Sequence, residues 1–246
     1  MMIKKYLSLV VLMMVFSSTV FGSLMLNQAE QFYKDKKYDK ALITYQHLLE
    51  SSPKSVSLLY NIGNTYFKLN KVGYSIGYYR RALKWEPLNK DIRYNLTLAR
   101  KGVVDSASVP NSIYQKVMGW VALISLNMSY YILMLSLFFV LLVFWCLQKK
   151  KFSREILMNV AVVSVVTCAM AFVLFFLTMN RYSQDYVVVI EKKASVYSGP
   201  SDVMALLFYV HEGHECKIVN TSGRWSEIEL LNGFKGWIPT ESLFSI

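Results

Sequence analysis

Two stretches decide the reading of this chain: Met128–Leu147, MSYYILMLSLFFVLLVFWCL, and Ile156–Met179, ILMNVAVVSVVTCAMAFVLFFLTM. Neither contains a charged residue. At helical rise each reaches roughly 30 Å or more, enough to cross a hydrocarbon core. Between them stand Lys149, Lys150, Lys151 and Arg154, with a single acid, Glu155. The outer flanks are poor in positive charge, with Lys116 before the first run and Arg181 after the second. Short loops rich in Lys and Arg stay on the cytoplasmic side. The expectation is a two-helix transmembrane hairpin with its turn inside, so that 1–127 and 180–246 emerge on the same outer, periplasmic face of a bacterial inner membrane.

Composition agrees with a membrane protein of several parts. The chain has 246 residues, 54% of them hydrophobic, and a formal net charge of +11. Charge is uneven. Ser23–Ser112 holds fourteen Lys and Arg against seven Asp and Glu, or +7, whereas Tyr182–Ile246 holds five against eight, or −3. Much of the positive excess sits in the turn and at Lys4 and Lys5, so a nucleic-acid partner is not expected. Cys146 and Cys168 fall at different depths of the two spans, and Cys216 lies alone in a strand pattern, so no disulfide framework is expected.

Lys4 and Lys5 precede a ten-residue apolar core, Leu7–Phe16, and Val20-Phe21-Gly22 then fits a cleavage site. Residues 1–22 read as a signal peptide, or as an uncleaved anchor; both start the chain inside. From residue 23 to 101 the pattern is helical and repeats. Ala41 aligns with Ser75, Tyr45 with Tyr79, Phe32 with Tyr66 and Pro53 with Pro87, each 34 residues apart, the tetratricopeptide period. Leu59, Ile62, Tyr66 and Leu69 form an apolar stripe, with Gly63, Ser75 and Ala82 small where paired helices cross. In the first copy Met25, Gln28 and Leu48 break the pattern, and its opening helix is expected to be irregular. Asn89–Lys101, with Ile92, Leu96 and Ala99 on one face, reads as a capping helix. Gly102–Ser112 is a polar linker, and Ile113–Leu126 an interfacial helix within a 102–127 connector.

Beyond the hairpin the period becomes that of strands: Tyr186–Ile190, Leu206–Val210, Cys216–Val219, Trp225–Leu230 and Gly236–Ile238, separated by turn residues that include Ser222-Gly223 and Asn232-Gly233. Asn-Gly signals a type I′ hairpin. Five short strands over 186–246 predict a small closed all-β barrel. The strand region resembles a bacterial SH3-like domain in Ala194–Pro200, His211-Glu212-Gly213, Trp225–Leu230 and Asn232–Ile238. Tyr60–Leu69, Ala82-Leu83 and Asp91–Arg100 resemble the repeats of the Bat aerotolerance proteins. The order of parts is also similar to that family: signal, all-α tetratricopeptide repeats, membrane hairpin, SH3-like domain. The resemblance implies a membrane protein that works with other Bat proteins, some with von Willebrand A-type domains, and with an associated MoxR-type ATPase, in tolerance of oxygen or oxidative stress.

Catalytic motifs are scarce. His211-Glu212-Gly213-His214-Glu215 differs from a zinc-protease motif because its histidines are three apart, with Gly between, in a turn. They read as two exposed turn histidines. No phosphate loop, nucleophile elbow or paired-cysteine spacing occurs, and no charge lies within the spans. Neither catalysis, nor a metal, nor a cofactor is expected. The candidate site is the concave face of the repeats. Tyr60, Asn64, Phe67 and Lys68 share one helical face at i, i+4, i+7, i+8. Tyr33 and Lys34 align with Phe67 and Lys68 one repeat earlier, and Tyr94 with Tyr60 one repeat later. Amide and ammonium groups among tyrosines suit an extended peptide; the alternative is a solvated face with tyrosines filling space. Trp225 and Trp237 form a candidate ligand groove in the barrel, for peptidoglycan or a protein. The expected role is a non-catalytic scaffold, with cell-wall sensing as the alternative.

Overall fold

A computed structural model describes residues 22–103, 113–149 and 154–246. Residues 1–21, most of the signal segment, lie outside that range, as do 104–112 of the linker and 150–153 of the turn, including Lys150 and Lys151.

The described residues begin with five helices: α1 (22–34), α2 (Tyr38–Ser51), α3 (Val56–Lys68), α4 (Val72–Trp85) and α5 (Lys90–Arg100). The 34-residue spacing recurs in the backbone itself. Lys36 and Asn70, 34 apart, are the two non-glycine residues with positive φ, 61° and 55°, among the described residues. At these turns Lys37 N–H donates to Phe32 O at 2.8 Å, and Lys71 N–H to Tyr66 O at 3.0 Å. This is a Schellman ending, in which a left-handed residue satisfies the last carbonyls of the helix. Ser55 and Asn89, again 34 apart, cap α3 and α5 by accepting from Leu58 N–H and Ile92 N–H. Contrary to expectation α1 is a regular helix from residue 22, because Ala29 is fully buried and Leu26, Phe32 and Tyr33 pack beside it.

After α6 (Ile113–Val121), α7 (Leu126–Gln148) and α8 (Arg154–Tyr182) pack side by side. Both are long and apolar enough to cross a membrane. Their contact uses small and polar side chains at a seven-residue repeat: Ser164, Ala171 and Thr178 on α8 are buried, as are Ser129 and Val143 on α7. Small residues let helix backbones approach where apolar burial gives no drive. Each serine and threonine satisfies its hydroxyl on its own helix, as Thr178 Oγ1 does on Leu174 O at 2.8 Å. The remaining apolar side chains largely face outward.

Only three residues separate α8 from the first strand. The β-domain has seven strands, β1 (Tyr186–Val189), β2 (Lys193–Tyr197), β3 (Leu206–His211), β4 (Glu215–Ser222), β5 (Trp225–Leu230), β6 (Lys235–Pro239) and β7 (Leu243–Ser245), in the order β3-β2-β6-β5-β4-β1-β7. Two strands, β2 and β7, were not expected, and the hydrogen-bonded order runs from β3 to β7 rather than closing as a barrel. The Asn232-Gly233 hairpin is real, but its turn is not type I′. Gly233 has a φ of +89° and Asn232 does not have positive φ, while Gly233 N–H donates to Leu230 O at 2.9 Å. This is a type I turn followed by a left-handed glycine, the usual longer hairpin connection.

The two modules are packed together, which the sequence reading did not anticipate. β1 alternates: Val187 and Val189 enter the β-domain core, whereas Val188 enters the core of the helical repeats. With both faces covered the strand is apolar at every position. On α4, Gly73 and Gly77 admit this contact. A Cβ on Gly73 would meet the Ile190 Cα at 3.0 Å, and one on Gly77 would meet the Phe244 ring at 2.7 Å. One repeat earlier the same positions hold Asp39 and Ile43, and Ile43 is 68% exposed. Phe244 of β7 completes an aromatic stack of Tyr66, Tyr74 and Tyr78.

Charge fastens the contact. Glu215 receives Arg80 of α4 on Oε2 (Nε 2.5 Å) and Arg100 of α5 on Oε1 (Nε 2.8 Å). Glu212 Oε1 accepts from Gly73 N–H at 2.9 Å, one of the orphan donors at the start of α4. Burial alone would raise the Glu215 carboxyl, but the two guanidinium groups outweigh it and hold the pKa below its ordinary value. The sign follows. A carboxylate with a lowered folded pKa contributes stability above its unfolded pKa, and that stability is lost as pH falls through the folded one. Thermal stability of the wild type is therefore expected to drop on acidification below about pH 4.5. In Glu215→Gln the drop over this range should be smaller and stability at neutral pH lower by about 2 kcal/mol; scanning calorimetry across pH checks both.

Candidate functional site

The candidate face is built from the first helix of each pair, α1, α3 and α5. On α3, Leu59, Ile62, Gly63 and Tyr66 are buried against α2 and α4. The opposite side therefore carries Tyr60, Asn64, Phe67 and Lys68. Gly63 also explains the centre of the site. The Tyr79 ring of α4 passes within 2.7 Å of where a Gly63 Cβ would stand. That passage brings the Tyr79 hydroxyl to Asn64, where it donates to Oδ1 at 2.6 Å. Burial pushes the Tyr79 pKa well above its ordinary value, so it remains a donor at neutral pH.

A residue that sequence reasoning missed, Asn95 of α5, joins this centre. Its Nδ2 donates to Asn64 Oδ1 and to Tyr60 Oη, both at 2.9 Å. Asn64 Oδ1 thus accepts two bonds from within the protein, while its own Nδ2 has no partner among the described residues. Alignment at 34 residues places Asn95 opposite Asn61, not Asn64, so the repeat pattern gave no signal for it. Tyr33 lies at the edge of the same group; burial first, and then Tyr38 and Tyr60, raise its pKa. Phe67, 40% exposed, and exposed Lys68 and Lys34 border the network. Tyr94 is 65% exposed and takes no part in its hydrogen bonds. The structure therefore gathers Tyr60 and Asn64 with Tyr33 nearby, leaves Phe67 and Lys68 exposed on the same helix and Lys34 exposed beside Tyr33, and keeps Tyr94 out of the hydrogen bonds.

Trp225 and Trp237 share the outward face of the β-domain, since Glu227 pairs with Trp237 while its neighbour Ile228 enters the core. Tyr197 covers both: it pairs with Trp237 and meets the Trp225 ring edge-on at 5.6 Å. Trp225 is almost fully buried yet lines a cavity of about 370 Å³ with Tyr197, Lys193, Asp202 and Arg224. Trp237 is not part of that lining. The histidine turn departs from expectation. His214 is 6% exposed rather than a surface residue, because Gly213, at a φ of +87°, packs beneath Val103, Ile76 and Val72 and takes the turn with it. Cys216 is buried in β4, and burial pushes its thiol up to about 12, so it packs as a small apolar group.

Of the residues set to orient the hairpin, Lys149 and Arg154 are described, and the Lys149 ammonium stands 5.3 Å from the Trp145 ring. No family model matches the chain, and neither does any curated protein.

Because Asn64 accepts from a buried phenol, Asn64→Ala is expected to destabilise the protein by about 1–3 kcal/mol. Phe67→Ala, at an exposed position, should stay within about 0.5 kcal/mol of wild type. Chemical unfolding of the full chain in detergent, followed by circular dichroism, compares the two.

Proposed function

We propose that this protein is a non-catalytic membrane scaffold whose helical repeats hold an extended peptide segment of a partner protein. The observation that carries this reading is the Asn64–Asn95–Tyr60 network on the concave face. It fixes an amide with two free N–H donors beside an exposed aromatic ring and two lysines. A peptide backbone offers carbonyls to the amide, and carboxylates on its side chains match Lys34 and Lys68. The β-domain occupies α4, on the other side of the repeats, so it leaves this face open.

In this reading the helices are tetratricopeptide repeats, the β-domain is SH3-like, and the chain is a BatE-like member of the Bat aerotolerance family. Both modules lie in the periplasm, anchored in the inner membrane by α7 and α8. Partners are other membrane or periplasmic proteins, with von Willebrand A-type Bat proteins the first candidates, and the assembly serves oxidative-stress resistance. The basic turn and the resemblance of parts support this. A second reading, peptidoglycan sensing, draws on the aromatic and charged cavity beside Trp225.

Crosslinked full-length protein is expected to capture one recurrent set of membrane partners, and Lys34→Glu with Lys68→Glu to lose it while folding normally. Retention of the same partners by the double variant would overturn the concave-face reading, and retention of the wild type on purified peptidoglycan would favour the second. Reporter fusions are expected to be periplasmic after residue 103 and after residue 246, and cytoplasmic within 149–154.

A further inference from the structure

Beneath the repeats, where α4, α5, α6, the end of α8 and the β-domain converge, lies a cavity of about 450 Å³. Its size falls within the range of small-molecule sites, about 300–1,000 Å³. Its lining is cationic on one side and apolar on the other. Arg80, Lys84, Arg93, Arg100 and Arg181 supply five positive charges; no Asp or Glu lines the space, although Ile246 does, and its main-chain oxygen accepts from Lys84 Nζ at 2.6 Å. Glu215 pairs with Arg80 and Arg100 from outside the lining, and Asp185 acts on Lys84, so the cations outnumber the carboxylates that face them. Burial first, then Arg81 and Arg181 nearby, push the Lys84 ammonium below its ordinary pKa, the mark of positive charge gathered in partly desolvated space. Glu215 occupies Arg80 and Arg100, and Ile246 O occupies Lys84, so the unused donors are chiefly on Arg93 and Arg181. Arg93 reaches Pro87 O at 3.4 Å and Arg181 reaches Ile124 O at 3.2 Å, whereas each guanidinium carries five N–H groups.

The apolar side is Met118, Ala122 and Leu123, on α6 and the turn after it. Position decides the ligand. Arg181 and Tyr182 form the last turn of α8, and Ile124 stands just before the Ser125 cap of α7, so the cavity opens at the end of the hairpin opposite its basic turn. Trp120 on α6 is 73% exposed, and Tyr131 in the second turn of α7 is exposed too, as aromatic side chains are at a bilayer surface. Basic pockets beside membrane helices bind anionic headgroups.

We propose that this cavity binds an anionic phospholipid, its phosphodiester held by Arg93 and Arg181 and its glycerol and first acyl carbons lying on Met118, Ala122 and Leu123. Guanidinium groups suit a phosphate because their planar forks donate two parallel bonds. The proposal rests on the reading of α7 and α8 as membrane spans. A bound lipid would join the repeats, the β-domain and the hairpin at a place where residues of all three meet.

The test uses the full chain reconstituted in vesicles of phosphatidylcholine, with or without phosphatidylglycerol. Flotation with phosphatidylcholine vesicles checks the spans by themselves; a chain that stays at the bottom refutes the membrane reading and the lipid site with it. Once the chain floats, native mass spectrometry is expected to show one retained phosphatidylglycerol, with a raised melting temperature relative to phosphatidylcholine alone. Arg93→Gln with Arg181→Gln should reduce retention about thirtyfold and abolish the shift, with melting in phosphatidylcholine unchanged. Equal retention of the two lipids, or a shift that survives the double variant, overturns the lipid site while the spans stand. An equal shift from soluble glycerol phosphate, or from an oligoglutamate peptide, also overturns it.

Discussion

Everything outside the hairpin depends on one contact: the β-domain seated on α4. It combines three effects that act at the same place. Gly73 and Gly77 remove the side chains that would keep the strand away, Val188 and Phe244 fill the space so opened, and Glu215 receives two arginines from the helices. A solvent-exposed ion pair contributes little. Glu215 differs because only 10% of its side chain is exposed and both of its oxygens are engaged. Removing either arginine would leave a charge that water reaches poorly, so the pairing specifies the position of the domain more firmly than its net energy alone would indicate.

This contact also resolves a difficulty with the repeats. Two helical pairs and a cap are close to the minimum for a stack, because each unit buries its face only against a neighbour. Here the outer surface of the second pair is covered by a sheet instead of by another repeat. The terminal backbone oxygens of β7 take part as well: Arg81 Nε donates to Ser245 O at 3.0 Å and Lys84 Nζ to Ile246 O at 2.6 Å. One carbonyl of the short edge strand β7, Ser245 O, is thereby engaged by a helix, and short edge strands themselves blunt pairing with other chains.

What was legible in the sequence follows from which forces are periodic. The two long apolar helices could be read because their apolarity is unbroken over more than twenty residues, and the helical pairs because Tyr45 and Tyr79, or Phe32 and Tyr66, recur with the repeat. Strands β1 and β3 to β6 showed as apolar runs between turn residues. Strand β2 (KASVY) alternates weakly and β7 has only three residues, so neither stood out. The docking was hidden because it joins residues more than a hundred apart, and Gly73 and Gly77 look like ordinary small residues of a helix crossing. One trace was visible: a segment of +7 and a segment of −3 placed on the same side of a membrane. At the candidate site Tyr33, Tyr60 and Asn64 were legible, whereas Asn95 was not, because its counterpart 34 residues earlier is Asn61 and not Asn64.

Attachment of the repeats to the hairpin follows a shorter route than chain order implies. By sequence the connection runs through 104–112 and α6. By contact it runs from α8 to β1 across three residues, and from β1 directly onto α4. Tyr182 strengthens that route, since its hydroxyl donates to Lys84 O at the end of α4. A span that ends so close to a strand cannot rotate without carrying the sheet, and the sheet cannot move without breaking the Glu215 pairs. The helical repeats are thus tied to the end of α8 through β1 and the Glu215 pairs.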